Sequence, residues 1–350
     1  MNICFINFNK HWGGVKTWTI DYGSQLVRRG HNVVAVVRPN TPFVQKCIDA
    51  GFETFVMRPG MKYNPVTILK IVSILKSRRI DAAVVNISKD VNIGAVACKL
   101  AGVPVYHRVG LPQDYKNTAE ERFLHKLLKG IIVPSQGLKD DISKLPWIRK
   151  GIISVLYNSK DRAKFPSKMP TESVDITIGV SSQLSVTKGH IYLLDAARRL
   201  ADDGVRFKLR IAGTGGHEAQ LKEYVGIQEL HDYVEFCGFQ TDVPAFLKSL
   251  DVFALPSLEE NFPNTLLEAM FTGLPCVAFN AGAVKELTGD ACIVLDKRDT
   301  DGLYESVRLF AEHPDMRKKY GQAARKRCLD LFDIEKNTEK LERILSGEVI

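Results

Sequence analysis

The 350-residue sequence has no paired cysteines, no long apolar run and little tryptophan. Its seven cysteines (Cys4, Cys47, Cys98, Cys237, Cys276, Cys292 and Cys328) fall singly, most of them inside apolar stretches such as PCVAF and ACIVL. That scatter excludes a disulfide framework or a zinc module and leaves reduced core residues, as expected in the cytoplasm. No run reaches the roughly 18 apolar residues of a membrane span. The opening stretch, MNICFINFNK, is too short and too mixed for a secretory leader. The three tryptophans, Trp12, Trp18 and Trp147, all lie in the first half.

What is present is ordinary in amount and uneven in distribution. Hydrophobic residues make up 45% and charged residues 25%, as in a soluble globular chain, and the length suits two domains. The formal charge of +8 divides unequally. Residues 1–160 hold 24 Lys and Arg against 10 Asp and Glu, a net of +14, whereas residues 161–350 hold 24 against 30, a net of −6. Net charge speaks to partners rather than to fold. A basic half suits an anionic surface, either nucleic acid or the cytoplasmic face of a membrane, or reflects only uneven surface lysines.

Short Val- and Ile-rich runs alternate with longer amphipathic stretches. Strands are predicted at 2–7, 32–37, 53–57, 81–86, 103–107, 130–134 and 152–156, with helices at 14–29, 65–78, 90–101 and 119–129. Strand runs without polar alternation indicate a parallel sheet covered on both faces. The polar stretch SKDRAKFPSKMPTESVD, with two prolines, reads as a linker. The series then restarts at 175–180 and continues through 206–212, 233–237, 251–255, 275–279 and 291–295. A helical stretch over about 314–346, broken near Phe332, closes the chain. The expected architecture is α/β, two doubly wound domains in tandem over 1–160 and 161–333, with a terminal helix over 334–350 returning to the first. Ligands of such sheets bind at the C-terminal ends of the strands, so two facing sheets would share one cleft.

Several loops after strands carry chemistry. In FNKHWGGVKTW, Gly13 and Gly14 open the first helix, where a phosphate or sugar could approach the backbone, or they make a plain turn. RIAGTGGHEAQL puts Gly213, Thr214, Gly215 and Gly216 in the same setting, without the full dinucleotide spacing. In SSQLSVTKGH, Lys188 opens a helix and could neutralise a diphosphate, although a lone lysine is usually solvated. In LEENFPNTLLEAMFTGLP, Asn264 or Thr265 is expected to cap a helix that ends at Gly273. Glu268 lies one turn inside that helix, and Glu260 just before the loop. His107 ends a first-half strand and could touch a sugar or serve structurally. DTD at 299–301 is explained by capping, so no metal is expected. ERFLHKLLKG is amphipathic with basic residues on its polar side, a face for an anionic membrane or an ordinary helix stripe.

Together these stretches resemble glycosyltransferase family four, the group-one retaining enzymes of the GT-B double-Rossmann fold, over nearly the whole chain. HWGGVKTW resembles the family's N-terminal glycine loop, YNSKD its Asn-Gly-Val-Asp segment, TKGH its Lys-Gly element and AGTGG its Gly-x-Gly turn. LEENFPNTLLEAMFTGLP resembles its Glu-x7-Glu signature, and FNAGAVKEL its Gly-Gly-x-x-Glu segment. The chain departs from the pattern at Gln183, where the family usually has Arg, at Thr214 for Asp and at Ser159 for Gly. One phosphate contact is then weakened or supplied elsewhere.

The resemblance implies transfer of a sugar from a nucleotide-sugar donor, UDP- or GDP-linked, to a lipid-linked, lipopolysaccharide or polysaccharide acceptor, with retention. It implies that Glu268 takes the ribose hydroxyls and that Glu260, His107 and Lys188 serve the reacting sugar and diphosphate. Gly13, Gly14, Gln183, Gly213, Thr214, Asn261, Phe262, Asn264 and Thr265 would line the donor site. Neither cofactor nor nucleic acid is expected. The first domain would take the acceptor and meet an anionic membrane from the cytoplasmic side. Two alternatives stay open: a nucleotide-sugar epimerase on the same fold, and a non-enzymatic nucleic-acid binder using the basic half.

Overall fold

The computed structural model describes residues 1–10, 13–86, 88–110, 115, 117–168, 172–173 and 175–348, with the side chains of 88 and 89 outside the description. Among them the chain forms two compact units, Met1–Ser159 with Ile334–Ile350, and Lys160–Asp333.

Along the first unit run β1 (Asn2–Asn7), α1 (Gly14–Arg28), β2 (Asn32–Val37), α2 (Pro42–Asp49), β3 (Glu53–Val56), α3 (Pro65–Ser77), β4 (Ala82–Val85), α4 (Ser88–Ala101), β5 (Val105–Arg108), α5 (Ala119–Leu127), β6 (Gly130–Val133), α6 (Gln136–Ser143) and β7 (Ile153–Val155). The second unit holds β8 (Ile176–Ser181), α7 (His190–Asp202), β9 (Phe207–Ala212), α8 (Glu218–Ile227), β10 (Val234–Gly238), α9 (Val243–Lys248), β11 (Val252–Leu255), α10 (Asn264–Thr272), β12 (Cys276–Phe279), α11 (Val284–Thr288), β13 (Ile293–Leu295), α12 (Thr300–Glu312) and α13 (Pro314–Leu331). The last helix, α14 (Ile334–Leu345), belongs to the first unit.

The first sheet has the order β3-β2-β1-β4-β5-β6-β7 and the second β10-β9-β8-β11-β12-β13. All the strand pairs are parallel. In each unit the order reverses once, between β1 and β4 and between β8 and β11. These are the topological switch points at which open α/β sheets bind ligands.

The strands are apolar on both sides because both sides are covered. Cys4 and Ile6 of β1 face one cluster with Ile71, Ile93 and Cys98, while Ile3 and Phe5 face another with Trp18, Tyr22 and Leu26. The period of two sorts neighbouring residues to opposite faces. Ile334, Leu341, Ile344 and Leu345 of α14 join the second cluster, and Arg29 pairs with Glu342 at 2.7 Å on its rim. The α14 stripe therefore belongs to the first sheet's α1 side.

Local signals start the helices. Asn64 accepts from Thr67 N at 3.2 Å and Pro65 follows at the first helical position. Thr118 and Ser135 cap α5 and α6 in the same way. The stretch read as a linker is packed where it is described. Phe165 is buried against Phe271, and Lys168 pairs with Asp251 at 2.8 Å. The short helices α2 and α6 carry too few periodic positions to stand out in the sequence.

The described tryptophans and most of the cysteines are interior. Trp18 is a core residue against Phe5 and Tyr22, and Trp147 packs on His125 and Tyr115, so neither is a surface anchor; Trp12 lies outside the described residues. All seven cysteines are free and six are buried, with Cys237 half-buried near a sheet edge. No helix among the described residues is long and apolar enough to cross a membrane.

Candidate active site

At the C-terminal edge of the second sheet, four loops after β8, β9, β11 and β12 interlock through their backbones. The Gly213 turn donates its N–H to Gly238 O at 2.8 Å, and Leu184 N donates to Thr214 O at 3.0 Å. A Cβ on Gly213 would lie 1.9 Å from Ser182 O, and φ there is +136°. Gly282, at φ +56°, stands against the loop after β11: a Cβ would lie 1.8 Å from Glu260 O, and Ala283 N donates to Asn261 O at 2.9 Å. These glycines are required because two main chains touch at van der Waals distance and because L side chains disfavour positive φ. The loop carrying Glu260 and Asn261 is thus held from behind.

This scaffold brings the β8 and β11 loops together across the switch point. Lys188 ends a short 3-10 turn (Val186–Lys188), and its Nζ meets Glu260 Oε1 at 2.5 Å. The expectation that Lys188 opens a helix is corrected: α7 begins at His190, after Gly189 turns the backbone to φ +65°. A second pair joins Lys160 Nζ to Glu268 Oε1 at 2.8 Å. Both acids of the Glu-x7-Glu stretch therefore already have a lysine.

The cap assigned to Asn264 or Thr265 is also corrected. Pro263 occupies the N-cap of α10 and no side chain caps the helix, because Pro263 itself begins the turn and Leu267 N returns to its carbonyl. Asn264 and Thr265 instead lie inside the first turn, half-buried, where helix N–H groups are without intrahelical partners. Gly273 ends α10 in the left-handed region, as the sequence suggested. Phe262 is not at a surface for a ligand: it is buried edge-on against Phe332, 5.8 Å between ring centres. Asn261, Thr214 and Gln183 are exposed.

Around these groups lie histidines that sequence reasoning passed over. His190 Nε2 meets Ser182 Oγ at 3.0 Å. Burial first, then His217 and Lys188, push the His190 pKa down to about 4, so it is neutral near pH 7. Nδ1 of His190, Nδ1 of His217 and Oγ of Ser257 are buried without a protein hydrogen-bond partner. Buried polar atoms are ordinarily satisfied, so their gathering beside the strand ends suits a polar ligand or water. Lys160 was missed as well. Its signal lay in YNSKD, where a lysine stands at the valine position of the related motif.

The corresponding edge of the first unit is different. Gly13 and Gly14 are exposed at the start of α1, and Gly13 is extended, with no described atom within 4 Å of the place a Cβ would take. None of the described residues requires that glycine. His107 lies in the core and not at an open strand end: Nε2 donates to Asn86 O at 2.9 Å, and Tyr115 OH meets Nδ1 at 3.3 Å. Its ring packs with those of Tyr115 and His125. Lys16 is buried beneath the loop with its Nζ 5.2 Å over the Phe43 ring, and burial lowers its pKa.

The DTD stretch behaves as a helix start. Asp299 accepts from Gly302 N at 2.8 Å, and Asp301 pairs with Arg199 on the surface. Among the described residues no group of three or more His, Cys, Asp or Glu could hold a metal ion.

Two doubly wound parallel sheets, each in its own unit, are the architecture of a GT-B type protein. Residues 12–164 match the Glycosyltransferase Family 4 model, and residues 161–327 match the Glycosyl transferases group 1 model. The chain belongs to this family and is a glycosyltransferase. An uncharacterized glycosyltransferase of Haemophilus influenzae is 24% identical over 95% of this chain and 96% of its own. The UDP-Gal:alpha-D-GlcNAc-diphosphoundecaprenol alpha-1,3-galactosyltransferase of Escherichia coli is 27% identical over 75% of this chain and 72% of its own. Among solved structures, a glycosyltransferase of Rickettsia africae superposes with a TM-score of 0.87 at 18% identity, covering 99% of this chain and 97% of that one. Anabaena HepE in complex with UDP and glucose gives 0.83 at 19%, covering 99% and 100%. The epimerase and nucleic-acid-binding alternatives are not favoured by these matches.

Proposed function

We propose that the protein transfers a sugar with retention from a UDP-sugar to a lipid-linked acceptor of cell-surface polysaccharide synthesis. The observation that carries the reading is the Lys188–Glu260 pair across the β8/β11 switch point, beside the uncapped start of α10. An arriving diphosphate brings an anion to the place where a lysine and the positive end of the helix dipole favour one. It competes with Glu260 for Lys188 and releases that carboxylate to the sugar hydroxyls. Glu268 takes the ribose hydroxyls, because vicinal hydroxyls suit a bidentate carboxylate.

In the transfer, the bond from the anomeric carbon to the β-phosphate oxygen breaks while the acceptor oxygen bonds to the same face of that carbon. The acceptor proton passes to the leaving phosphate oxygen. Lys188 and the α10 N-terminus stabilise the charge that develops there. No side-chain nucleophile and no resident metal take part in this scheme. Asp299 and Asp301 are committed to a cap and an ion pair, and Lys188 supplies the positive charge. UDP is favoured because the structural neighbour HepE binds UDP, and the acceptor class because the Escherichia coli relative uses a diphosphoundecaprenol acceptor.

The first unit takes the acceptor and lies on an anionic membrane from the cytoplasmic side. Supporting this, Met61, Leu69, Val66 and Phe123 are 83%, 64%, 60% and 59% exposed, and Lys62, Lys70, Arg122 and Lys126 are exposed with them. Glu120 bonds to both Lys62 and Tyr63, which ties the loop before α3 to the start of α5. Apolar side chains among basic ones suit an acidic lipid surface.

The test is release of nucleotide from a panel of nucleotide sugars with polyprenyl-diphosphate sugars as acceptors, followed by the anomeric configuration of the product. Release only from UDP-sugars, insensitive to EDTA and with retained configuration, is expected. Inversion, or loss with EDTA restored by Mg²⁺ or Mn²⁺, would overturn the corresponding part.

A further inference from the structure

The acid assigned to the ribose does not stand alone. The Lys160 ammonium lies 2.8 Å from Glu268 Oε1, and the two side chains are only 6% and 13% exposed. Both are delivered from fixed backbone. Lys160 N donates to Phe332 O at 3.1 Å, and Lys160 forms a parallel bridge with Asp333. Glu268 lies in α10 between the buried Leu267 and Ala269, and Thr272 Oγ donates to its carbonyl at 2.9 Å.

Burial separates this contact from a surface ion pair. An exposed lysine and glutamate gain little from each other. Two charges largely removed from water depend on one another, because loss of either partner is costly to the charge that stays buried. A carboxylate offers about four lone-pair directions on two oxygens, and an ammonium can occupy one oxygen while the other still accepts. The lysine therefore need not block the acid. It can hold the carboxylate plane at one orientation.

We propose that Lys160 is a positioning residue for the donor's ribose: by binding one oxygen of Glu268 it aims the remaining lone pairs at the vicinal hydroxyls. This rests on the assignment of Glu268 to the ribose. It also gives a physical reason for a lysine at the valine position of the YNSKD segment.

The experiment measures calorimetric affinity of the full-length protein for UDP and for 2′,3′-dideoxy-UDP, which lacks the hydroxyls. The native protein should prefer UDP. Lys160→Met should weaken UDP about tenfold or more and leave the dideoxy ligand unchanged, so that the preference collapses. Lys160→Arg should restore part of it. Glu268→Gln should collapse the preference alone, and the double variant should be no worse than Glu268→Gln, as coupled neighbours behave. Lys160→Gln carries the same comparison if thermal melts show that Lys160→Met does not fold. Equal weakening of both ligands by the Lys160 variants, or no weakening, would overturn the inference if Glu268→Gln still collapses the preference. A preference that survives Glu268→Gln would overturn the ribose assignment itself, and the Lys160 role with it.

Discussion

The two sheets have the same winding and their C-terminal edges are built for different tasks. At the edge of the second unit, backbone touches backbone at Gly213 and Gly282, and lysines answer the two signature acids. At the edge of the first, a Cβ on Gly13 would meet no described atom within 4 Å and His107 is sealed into a ring cluster. Topology supplies the place for a ligand, and the loops decide whether that place is charged and rigid. The comparison also separates two kinds of glycine. Gly213 and Gly282 answer to the protein's own packing, whereas none of the described residues gives Gly13 a reason to be glycine.

The largest expected effect comes from the charge partner in the second unit. Lys188→Ala should lower kcat/KM about 10²–10³-fold, as removal of a preorganised charge at the leaving group does. Glu260→Ala should damage kcat more than affinity for free UDP. Glu268→Ala should do the reverse, weakening UDP by about 1.5–3 kcal/mol. Steady-state kinetics with calorimetry distinguishes them, and identical behaviour of the two acids would remove the division of labour.

The glycine contrast is tested next. Gly282→Ala should destabilise the protein by about 1–3 kcal/mol through positive φ, and by more if the Glu260 carbonyl cannot move away. Gly13→Ala should leave thermal stability unchanged, since the backbone is extended and no described atom crowds the position. A fall in activity without a fall in melting temperature would mark Gly13 as a place of ligand approach, and unchanged activity would make it a plain turn.

Acid should act on both units. Burial lowers the pKa of His125 to about 3 in the first and of His190 to about 4 in the second. Each is neutral when folded but protonates in the unfolded chain near pH 6.5, so the unfolded state binds more protons between these values. Stability is full above about pH 6.5 and declines as pH falls, by up to about 1.4 kcal/mol per pH unit for each histidine. Denaturant unfolding of the native protein and of His125→Phe across pH 4.5–7.5 checks this. The variant should show the shallower slope.

The smallest effects concern the membrane face. The native protein should sediment with anionic vesicles and not with neutral ones, and added salt should release it. Neutralising Lys126 and Lys129 should weaken binding by about 1 kcal/mol per residue, and Phe123→Ser should reduce the salt-resistant remainder. Equal sedimentation with both vesicle types would sever the basic half from lipid.

The strand runs were legible, to within two residues at their ends, because central parallel strands such as NVVAVV are apolar on both faces. The Glu-x7-Glu stretch was legible because a polar loop, a short apolar helix and a terminal glycine are contiguous. The cap at Pro263 was not, since Asn264 and Thr265 are better capping residues and tertiary packing chose the register. The burial of Phe262 and His107 was not legible either. An aromatic beside a signature acid and a histidine at a strand end look the same in sequence whether they face a ligand or a neighbour.

By itself, the sequence determined two doubly wound sheets, a basic and an acidic half, and a glycosyltransferase family. These follow from periodicity, composition and contiguous motifs, all local to the chain. Tertiary structure alone decided which lysine answers which acid. Lys160 and Glu268 are far apart in sequence, as are Lys188 and Glu260, and no periodicity links them. Lys188 meets Glu260 through the parallel pairing of β8 with β11, and Lys160 meets Glu268 from a backbone held by Phe332 and Asp333. Ion pairs answer to distance in space, and only the folded chain sets that distance.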